Sequence, residues 1–349
     1  MNWLITGGCG FIGTNLIKHL IAENQAHCIR VLDNLNVGTI EDLSEVCEVW
    51  RNDSADDAKP WSVAEGVELV VGNILDYDAC LLSCEGINII VHLAASTGVP
   101  QSVSDPRIDM QNNVVGTFNM LEAARIKGVE RFIFASSGAP IGEVEPPIHE
   151  KLAPRPVSPY GAGKLAGEGY CSSYYRTFDL QTVSLRFGNV YGPRSKHKSS
   201  VVAKFIKQAL NGETLEIYGD GHQTRDYIFI GDLIQAIELA ALTDGIGGEI
   251  FQIATNTETT VQELSDILVQ LLLEKGIDSL QVAHAGLRLG DVRRNFSDTT
   301  KARKILNWKA KTDLTHGLLK TIEWFMECEP QERLARKLDV WEGHLSGNS

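Results

Sequence analysis

Over the first half of the chain, short runs of consecutive apolar residues alternate with segments whose apolar positions recur every three or four residues. The runs Trp3–Thr6, Ile29–Leu32, Val67–Val71, Ile89–Leu93, Arg131–Ala135 and Thr182–Phe187 are brief and rich in β-branched residues. That is the pattern of strands covered on both faces. The segments between them, Phe11–Glu23, Asp76–Ser83, Met110–Lys127 and Tyr160–Phe178, carry helical periodicity. Strands alternating with helices predict an α/β fold built on a doubly wound parallel sheet, in a strand order the pattern leaves open. Asp53–Glu65, polar and carrying Pro60, is expected to cross the surface as a loop. After Gly192 the alternation gives way to helical segments, Val201–Leu210, Asp232–Ala241, Val261–Lys275, Thr300–Leu306 and Leu314–Phe325, mixed with short strands. The expected division is a sheet domain over residues 1–190, a smaller and mostly helical lobe over 191–226 and 255–326, and a charged peripheral tail over 327–349. Parts of 227–254, namely Tyr227–Ile230 and Glu249–Ile253, are expected to return to the main sheet.

Composition narrows the partners. A chain of 349 residues can bury a large core without covalent staples. Its 45 acidic against 32 basic residues give a net charge of −13, which argues against a surface built to grip nucleic acid or an anionic membrane. No apolar run approaches the roughly 20 residues of a membrane helix, and with a strand expected from Met1 to Thr6 no signal peptide is expected. Cys9, Cys28, Cys47, Cys80, Cys84, Cys171 and Cys328 are odd in number and form no C-x-x-C. They are expected as reduced thiols in a cytoplasmic protein. Cys80 and Cys84, one helical turn apart with no histidine near them in sequence, are expected to pack, and no metal site is expected.

Chemistry enters at the first strand–helix junction. Leu4-Ile5-Thr6 runs into Gly7-Gly8-Cys9-Gly10-Phe11-Ile12-Gly13, with glycine at 7, 10 and 13. A turn free of side chains lets backbone N–H groups and a helix N-terminus meet a pyrophosphate. Asp33, 20 residues beyond Gly13 at the end of the second strand and followed by Asn34, stands where a ribose-binding carboxylate is expected. A carboxylate there repels a 2′-phosphate, so the expected cofactor is NAD rather than NADP. The bland alternative is a glycine-rich turn and an aspartate serving only its own turn. Further on, Tyr160 and Lys164 share one helix face at i and i+4, and Ser136-Ser137 follow a strand. An ammonium beside a phenol favours the phenolate and lowers its pKa from about 10, making Tyr160 a base. Ser137 is expected to hydrogen-bond both the reacting hydroxyl and the tyrosine. The alternative is a chance surface pair.

Further segments join these motifs: His92-Leu93-Ala94-Ala95, Asn113-Val114-Val115-Gly116-Thr117, and the run from Arg186 through Asn189-Val190-Tyr191-Gly192-Pro193-Arg194. Gly219-Asp220-Gly221, Arg225-Asp226 and Arg288-Leu289-Gly290-Asp291 complete the set. With them the chain, from about Met1 to Phe325, resembles the extended short-chain dehydrogenases/reductases of the nucleotide-sugar epimerase/dehydratase type. The resemblance implies a Rossmann-type NAD domain in which Gly7, Gly10, Phe11, Ile12 and Gly13 meet the cofactor. Asn73-Ile74 matches an Asp-Ile adenine contact, with the amide oxygen of asparagine in place of a carboxylate. Leu93, Ala94 and Ala95 would line the cofactor, and Asn113 would support its nicotinamide end. Asn189, Arg225 and Arg288 match positions that hold the substrate diphosphate, and Ile217 and Tyr218 lie where the nucleotide base is sandwiched. Helices Met110–Lys127 and Gly161–Phe178 match those that pair in a four-helix homodimer interface. A role in carbohydrate metabolism, in polysaccharide biosynthesis, is also implied.

The resemblance also bears on the reaction. Relatives that dehydrate carry Thr-Asp-Glu after the fifth strand, and decarboxylases carry a glutamate there. This chain has Ser137-Gly138-Ala139, which leaves 4-epimerisation of a UDP-hexose or UDP-N-acetylhexosamine as the simplest outcome. The next residues, Pro140-Ile141-Gly142, depart from the usual Val-Tyr-Gly and are expected to reshape the sugar pocket. Asn295 stands where strict hexose epimerases carry tyrosine, which favours a 2-acetamido sugar. The basic run Arg194, Lys196, His197 and Lys198 suggests instead a uronate carboxylate. The competing readings are a dehydratase or decarboxylase, a UDP-uronate 4-epimerase, a reductase of a non-nucleotide ketone, and a silent NAD-sensing protein.

Overall fold

The computed structural model describes residues 1–51, 66–278, 280–286 and 292–328. The expected loop over 53–65 and the tail beyond Cys328 lie outside them. Eight parallel strands form one sheet in the order β12-β7-β6-β5-β1-β2-β4-β3. They are β1 (Asn2–Thr6), β2 (Cys28–Asp33), β3 (Val49–Arg51), β4 (Val67–Val71), β5 (Ile89–His92), β6 (Arg131–Ser137), β7 (Gln181–Phe187) and β12 (Glu249–Ile253). The chain runs outward from β1 through β2 to β4, then returns to lay β5 against the other side of β1. That reversal opens a crevice at the carboxyl ends of β1 and β5. Side chains of successive residues leave the sheet on opposite faces. Trp3, Ile5, Ile89 and Val91 therefore enter the core against α1 (Phe11–Ala22) and α9 (Ile230–Leu242). Leu4 and Ile90 enter the opposite core, with α3 (Tyr77–Ser83), α6 (Thr117–Lys127) and α7 (Pro159–Phe178). Cys80, Cys84 and Cys171 pack into that second core.

Three local outcomes differ from the pattern. Strand β3 escapes the periodicity because it is a half-exposed edge three residues long. Met110–Lys127 is not one helix. It comprises the end of α5 (Pro106–Met110), a π-helical segment over Gln111–Gly116, and α6. Tyr227–Phe229 (β11) does not return to the main sheet but pairs with β8 (Asn189–Tyr191), whereas Glu249–Ile253 does return, as the edge strand beside β7. The remaining elements are α2 (Ile40–Ser44), α4 (Val99–Ser104), α8 (Val201–Leu210), β9 (Leu215–Tyr218), β10 (Thr224–Arg225), β13 (Thr259–Thr260), α10 (Val261–Glu274), β14 (Val282–Ala285), α11 (Thr300–Ile305) and a helix over 314–328. Of these, α8, α10, β9 and the last helix enclose a third apolar core.

Candidate active site

The glycine turn after β1 is shaped by close approach. Gly7 adopts φ +69°, and a Cβ on it would lie 2.9 Å from the Ala94 nitrogen. A Cβ on Gly13 would meet Gly8 Cα at 2.5 Å. Gly10 caps α1 without any side-chain bond, so the first N–H groups of the helix face outward for an anion. The Ala94 N–H donates to Thr6 Oγ1 at 3.2 Å, which seats the loop after β5 against the turn. Asp33 ends β2 nearly buried. Its two oxygens accept the N–H groups of Cys9 at 3.0 Å and Leu35 at 2.9 Å. Burial raises its pKa, and those two donors oppose the rise. The carboxylate thus braces the glycine turn from the end of β2, while Asn34 beside it is exposed. A side-chain-free turn, an unfilled helix start and an acid at the end of the next strand together fit a dinucleotide.

Asn73 also shapes its own loop. Its amide oxygen accepts the Leu75 N–H at 2.9 Å, closing a local turn. Ile74 is buried against Gly116, where a Cβ would sit 2.4 Å from Ile74 Cδ1. Asn113 is buried and fully engaged: it accepts from the Ser96 N–H and donates to Ser96 O, both at 3.0 Å, and to Asp109 Oδ1 at 2.9 Å. Its support for the crevice is therefore indirect, through the loop that carries Leu93, Ala94 and Ala95.

Three glycines bring α7 onto the sheet end. A Cβ on Gly161 would meet Ala139 O at 2.6 Å, one on Gly163 would meet Asn113 Cβ at 3.0 Å, and one on Gly167 would meet Phe134 Cζ at 2.3 Å. Ser158 caps the helix by accepting the Gly161 N–H at 3.1 Å, and Pro159 opens it. The result sets Tyr160 and Lys164 against the end of β6. Ser137 Oγ accepts the Ala139 N–H at 3.2 Å and stands close enough to the Tyr160 hydroxyl to favour its phenolate. The Lys164 ammonium donates to Ala135 O at 2.8 Å and lies 6.0 Å from the Tyr160 ring centroid.

The expected acidification of Tyr160 is not what the chain alone produces. Loss of water around Tyr160 pushes its phenol up to about 12; the nearby Ser137 hydroxyl pulls the other way, and the charge of Asp109 adds to the rise. Burial likewise pushes Lys164 down to about 8, against the upward pull of Asp109, Cys171 and Glu168. The lysine is spent on a carbonyl, and desolvation outweighs it. Sequence reading also missed what stands behind these groups. Ser136 Oγ donates to Glu168 Oε1 at 2.5 Å, and Arg186 forms a two-pronged ion pair with Glu168 at 2.7 Å for both bonds. Glu168, four residues after Lys164 on the same face, was accessible to spacing arguments; Asp109 and Arg186 come from remote segments and were not.

On the substrate side, Ser137 is paired in register with Phe187, so the chain emerges at Asn189 beside the serine. Asn189, Ile217, Tyr218, Gln223 and Arg225 line one cavity with Lys204. Ile217 is itself wholly buried in the third core, and Tyr218 carries the Lys204 ammonium 4.7 Å from its ring centroid. Arg225 donates to Thr224 O at 2.6 Å and Val292 O at 2.7 Å, which fixes its guanidinium. Asn295 comes close to Gly138: a Cβ on that glycine would lie 3.7 Å from Asn295 Nδ2. Arg288 lies outside the described residues. The basic run goes elsewhere than to a sugar. Arg194 pairs with Glu45 at 2.6 Å, Lys196 with Asp42 at 2.6 Å, and His197 Nε2 lies 2.9 Å from the same Asp42.

Residues 3–254 match the model of the NAD dependent epimerase/dehydratase family. The chain is 37% identical over 330 residues to a UDP-glucose 4-epimerase of Mycolicibacterium smegmatis, covering 93% of this chain and 98% of that protein. Among solved structures it is similar to UDP-glucose 4-epimerase from Thermotoga maritima, solved with UDP-glucose. The TM-score is 0.82 at 34% identity, covering 94% of this chain and 99% of that one. It is similar too to the UDP-N-acetylglucosamine 4-epimerase of Methanobrevibacter ruminantium M1 in complex with UDP-N-acetylmuramic acid. There the TM-score is 0.80 at 29% identity, covering 93% and 98% of the two chains.

Proposed function

The chain belongs to the NAD-dependent epimerase/dehydratase family, and from that premise we propose that it inverts the 4-carbon of a nucleotide sugar, a UDP-hexose or UDP-N-acetylhexosamine. The observation that carries this reading is that Ser137-Gly138-Ala139 brings a hydroxyl and no carboxylate beside Tyr160. Dehydration or decarboxylation calls for a further acid or base at that place.

The turn of Gly7, Gly10, Phe11, Ile12 and Gly13 would hold the NAD diphosphate, Asp33 and Asn34 its adenosine ribose, and Asn73 and Ile74 its adenine. Leu93, Ala94 and Ala95, braced by Asn113, would line the path to Tyr160 and Lys164. When bound, NAD supplies a hydride acceptor and donor, and a positive ring that favours the phenolate. The chain supplies the proton chemistry. Tyr160 Oη accepts the proton of the sugar 4-hydroxyl and gives it back to the same oxygen after the sugar has presented its other face. Ser137 Oγ holds both oxygens in line. Lys164 adds positive charge behind the phenol, and Asp109 keeps that charge from being lost to burial. Asn189 and Arg225 would grip the substrate diphosphate, Arg225 as a fork already fixed by two carbonyls, and Ile217 and Tyr218 would flank the base. Asn295, small and opposite Gly138, leaves room for a 2-acetamido group. The basic run lends nothing to the uronate alternative, because Arg194, Lys196 and His197 face Glu45 and Asp42.

We also propose a homodimer through α6 and α7, whose outer faces expose Phe118, Tyr170 and Phe178, and a cytoplasmic location, which fits thiols packed at Cys80, Cys84 and Cys171. No described helix is long and apolar enough to cross a membrane.

Incubation of the NAD-loaded protein with UDP-, dTDP-, GDP- and CDP-sugars, followed by chromatography and mass spectrometry, tests the reaction. The expected product is an isomer of unchanged mass, and Tyr160→Phe should lower its rate by about 10²–10⁴-fold. A product lighter by water or carbon dioxide would overturn the proposal.

A further inference from the structure

We propose that Lys198 is a cofactor-binding residue: its ammonium, presented over Phe11 by a loop latched to α2, takes the diphosphate of the dinucleotide. The proposal rests on the reading of the glycine turn as the cofactor site and adds to it a charge from the other half of the chain.

The loop over Pro193–Lys198 is held from three sides. Asn15 of α1 donates to Pro193 O at 3.2 Å. Arg194 and Lys196 form their ion pairs with Glu45 and Asp42, and His197 bonds to Asp42. Asp42 is itself fixed at the start of α2 by a reciprocal cap with Thr39. From behind, Lys207 of α8 donates to the carbonyls of Lys196 and Lys198, both at 2.9 Å. A loop fixed this way presents its last side chain in a set direction. Three of its four basic side chains meet acids of the α2 region.

Lys198 is the fourth. Its Nζ lies 5.2 Å from the ring centroid of Phe11, the first residue of α1. Among the described residues no carboxylate offsets its burial, which pushes the ammonium down to about 8. A half-buried cation beside an uncapped helix start, with no acid of its own loop to meet, is favourably placed when an anion shares the space. The helix that begins at Phe11 carries the N–H groups for that anion, and a diphosphate supplies oxygens to both at once. The substrate also carries a diphosphate, and α8 lines the nucleotide cavity only a few residues further on. The contact with Phe11 assigns Lys198 to the cofactor.

Calorimetric titration of the full chain, stripped of nucleotide, with NAD and separately with UDP tests this. Lys198→Met, which keeps the stem over Phe11, should weaken NAD binding about 10- to 100-fold and leave UDP binding unchanged. Lys198→Arg should retain most of the affinity. Gly13→Val, whose side chain would strike Gly8, should abolish NAD binding while UDP binding reports that the fold is intact. If Gly13→Val loses NAD and Lys198→Met stays within twofold of the parent, the lysine only packs on Phe11 and this inference falls while the site reading stands. If Lys198→Met weakens UDP instead of NAD, the lysine belongs to the substrate. If Gly13→Val still binds NAD, the cofactor lies elsewhere and both readings fall.

Discussion

Burying the Lys164 ammonium costs the folded chain free energy, because its pKa falls from the ordinary 10.5 to about 8. Between those values the unfolded chain holds the proton and the folded chain does not, so stability rises with pH across the window, and the penalty is full below pH 8. The shift corresponds to about 3 kcal/mol. Removing the ammonium also gives up its hydrogen bond to Ala135 O, worth about 1 kcal/mol. Lys164→Met should therefore be catalytically dead yet more stable than the parent by on the order of 2 kcal/mol at pH 7. The gain should fade by pH 10, which thermal melts across that range would register; a variant less stable at pH 7 contradicts the account. At this scale the sequence was informative wherever chemistry sits at fixed spacing: Gly7 to Asp33, and Tyr160 to Lys164. It did not show that Asp109 and Arg186 stand behind Tyr160 and Lys164, because their offset from that pair is set by tertiary packing. It gave no measure of how far burial raises Tyr160 in the chain alone, because the balance between a nearby cation and lost hydration is a property of burial, not of spacing.

Helix α7 shows how glycine identity, not hydrophobic pattern, sets an element's position. Gly167→Ala would place a methyl 2.3 Å from Phe134 Cζ, lifting the helix from β6 one turn below Lys164. That should cost about 1–3 kcal/mol and lower turnover along with the melting temperature. Gly169, two residues on, meets nothing within 4 Å. Its change to alanine should stabilise the chain by about 0.5–1 kcal/mol through lost unfolded-state freedom. Equal melting points for the two variants would show that the close approach at Gly167 is not a constraint. The periodicity located α7 well but gave no sign of the π-helical turn at Gln111–Gly116. One residue of extra winding leaves apolar spacing almost unchanged, and what the turn accommodates is polar: Asn113 held against Ser96 and Asp109. Strand β11 was misplaced for a related reason, since an apolar run announces a buried strand without naming the neighbour it pairs with.

Across the whole molecule the second half completes the first. Strand β12 extends the main sheet beside β7, Trp308 donates to Asp232 O at 2.9 Å within the same core that holds Trp3, and Asn295 reaches Gly138. Such pairings join positions more than 60 residues apart, which no local pattern encodes, so the way the lobe closes on the sheet end was not legible in the sequence. Among the described residues, one aromatic surface lies exposed. Phe118 (38% exposed), Tyr170 (37%), Phe178 (49%) and Ile126 (53%) lie on α6 and α7. Phe118 packs edge-on to Tyr170 at 5.5 Å, and Tyr174 to Phe178 at 5.1 Å, so the aromatics form one continuous patch. Aromatic side chains clustered on two adjacent helices, on a chain otherwise carrying 13 net negative charges, are the apolar centre that an interface between copies requires. A two-fold pairing would set each patch against its own copy, giving four helices at the contact. Sedimentation equilibrium should give twice the 38.3 kDa chain mass. Phe118→Arg should return the single-chain mass with NAD binding and far-UV spectrum preserved. Arginine is the substitution of choice because it keeps good helix propensity while setting a charge in the centre of the patch. A parent that sediments as one chain, or a variant that stays dimeric, would move the association away from this face.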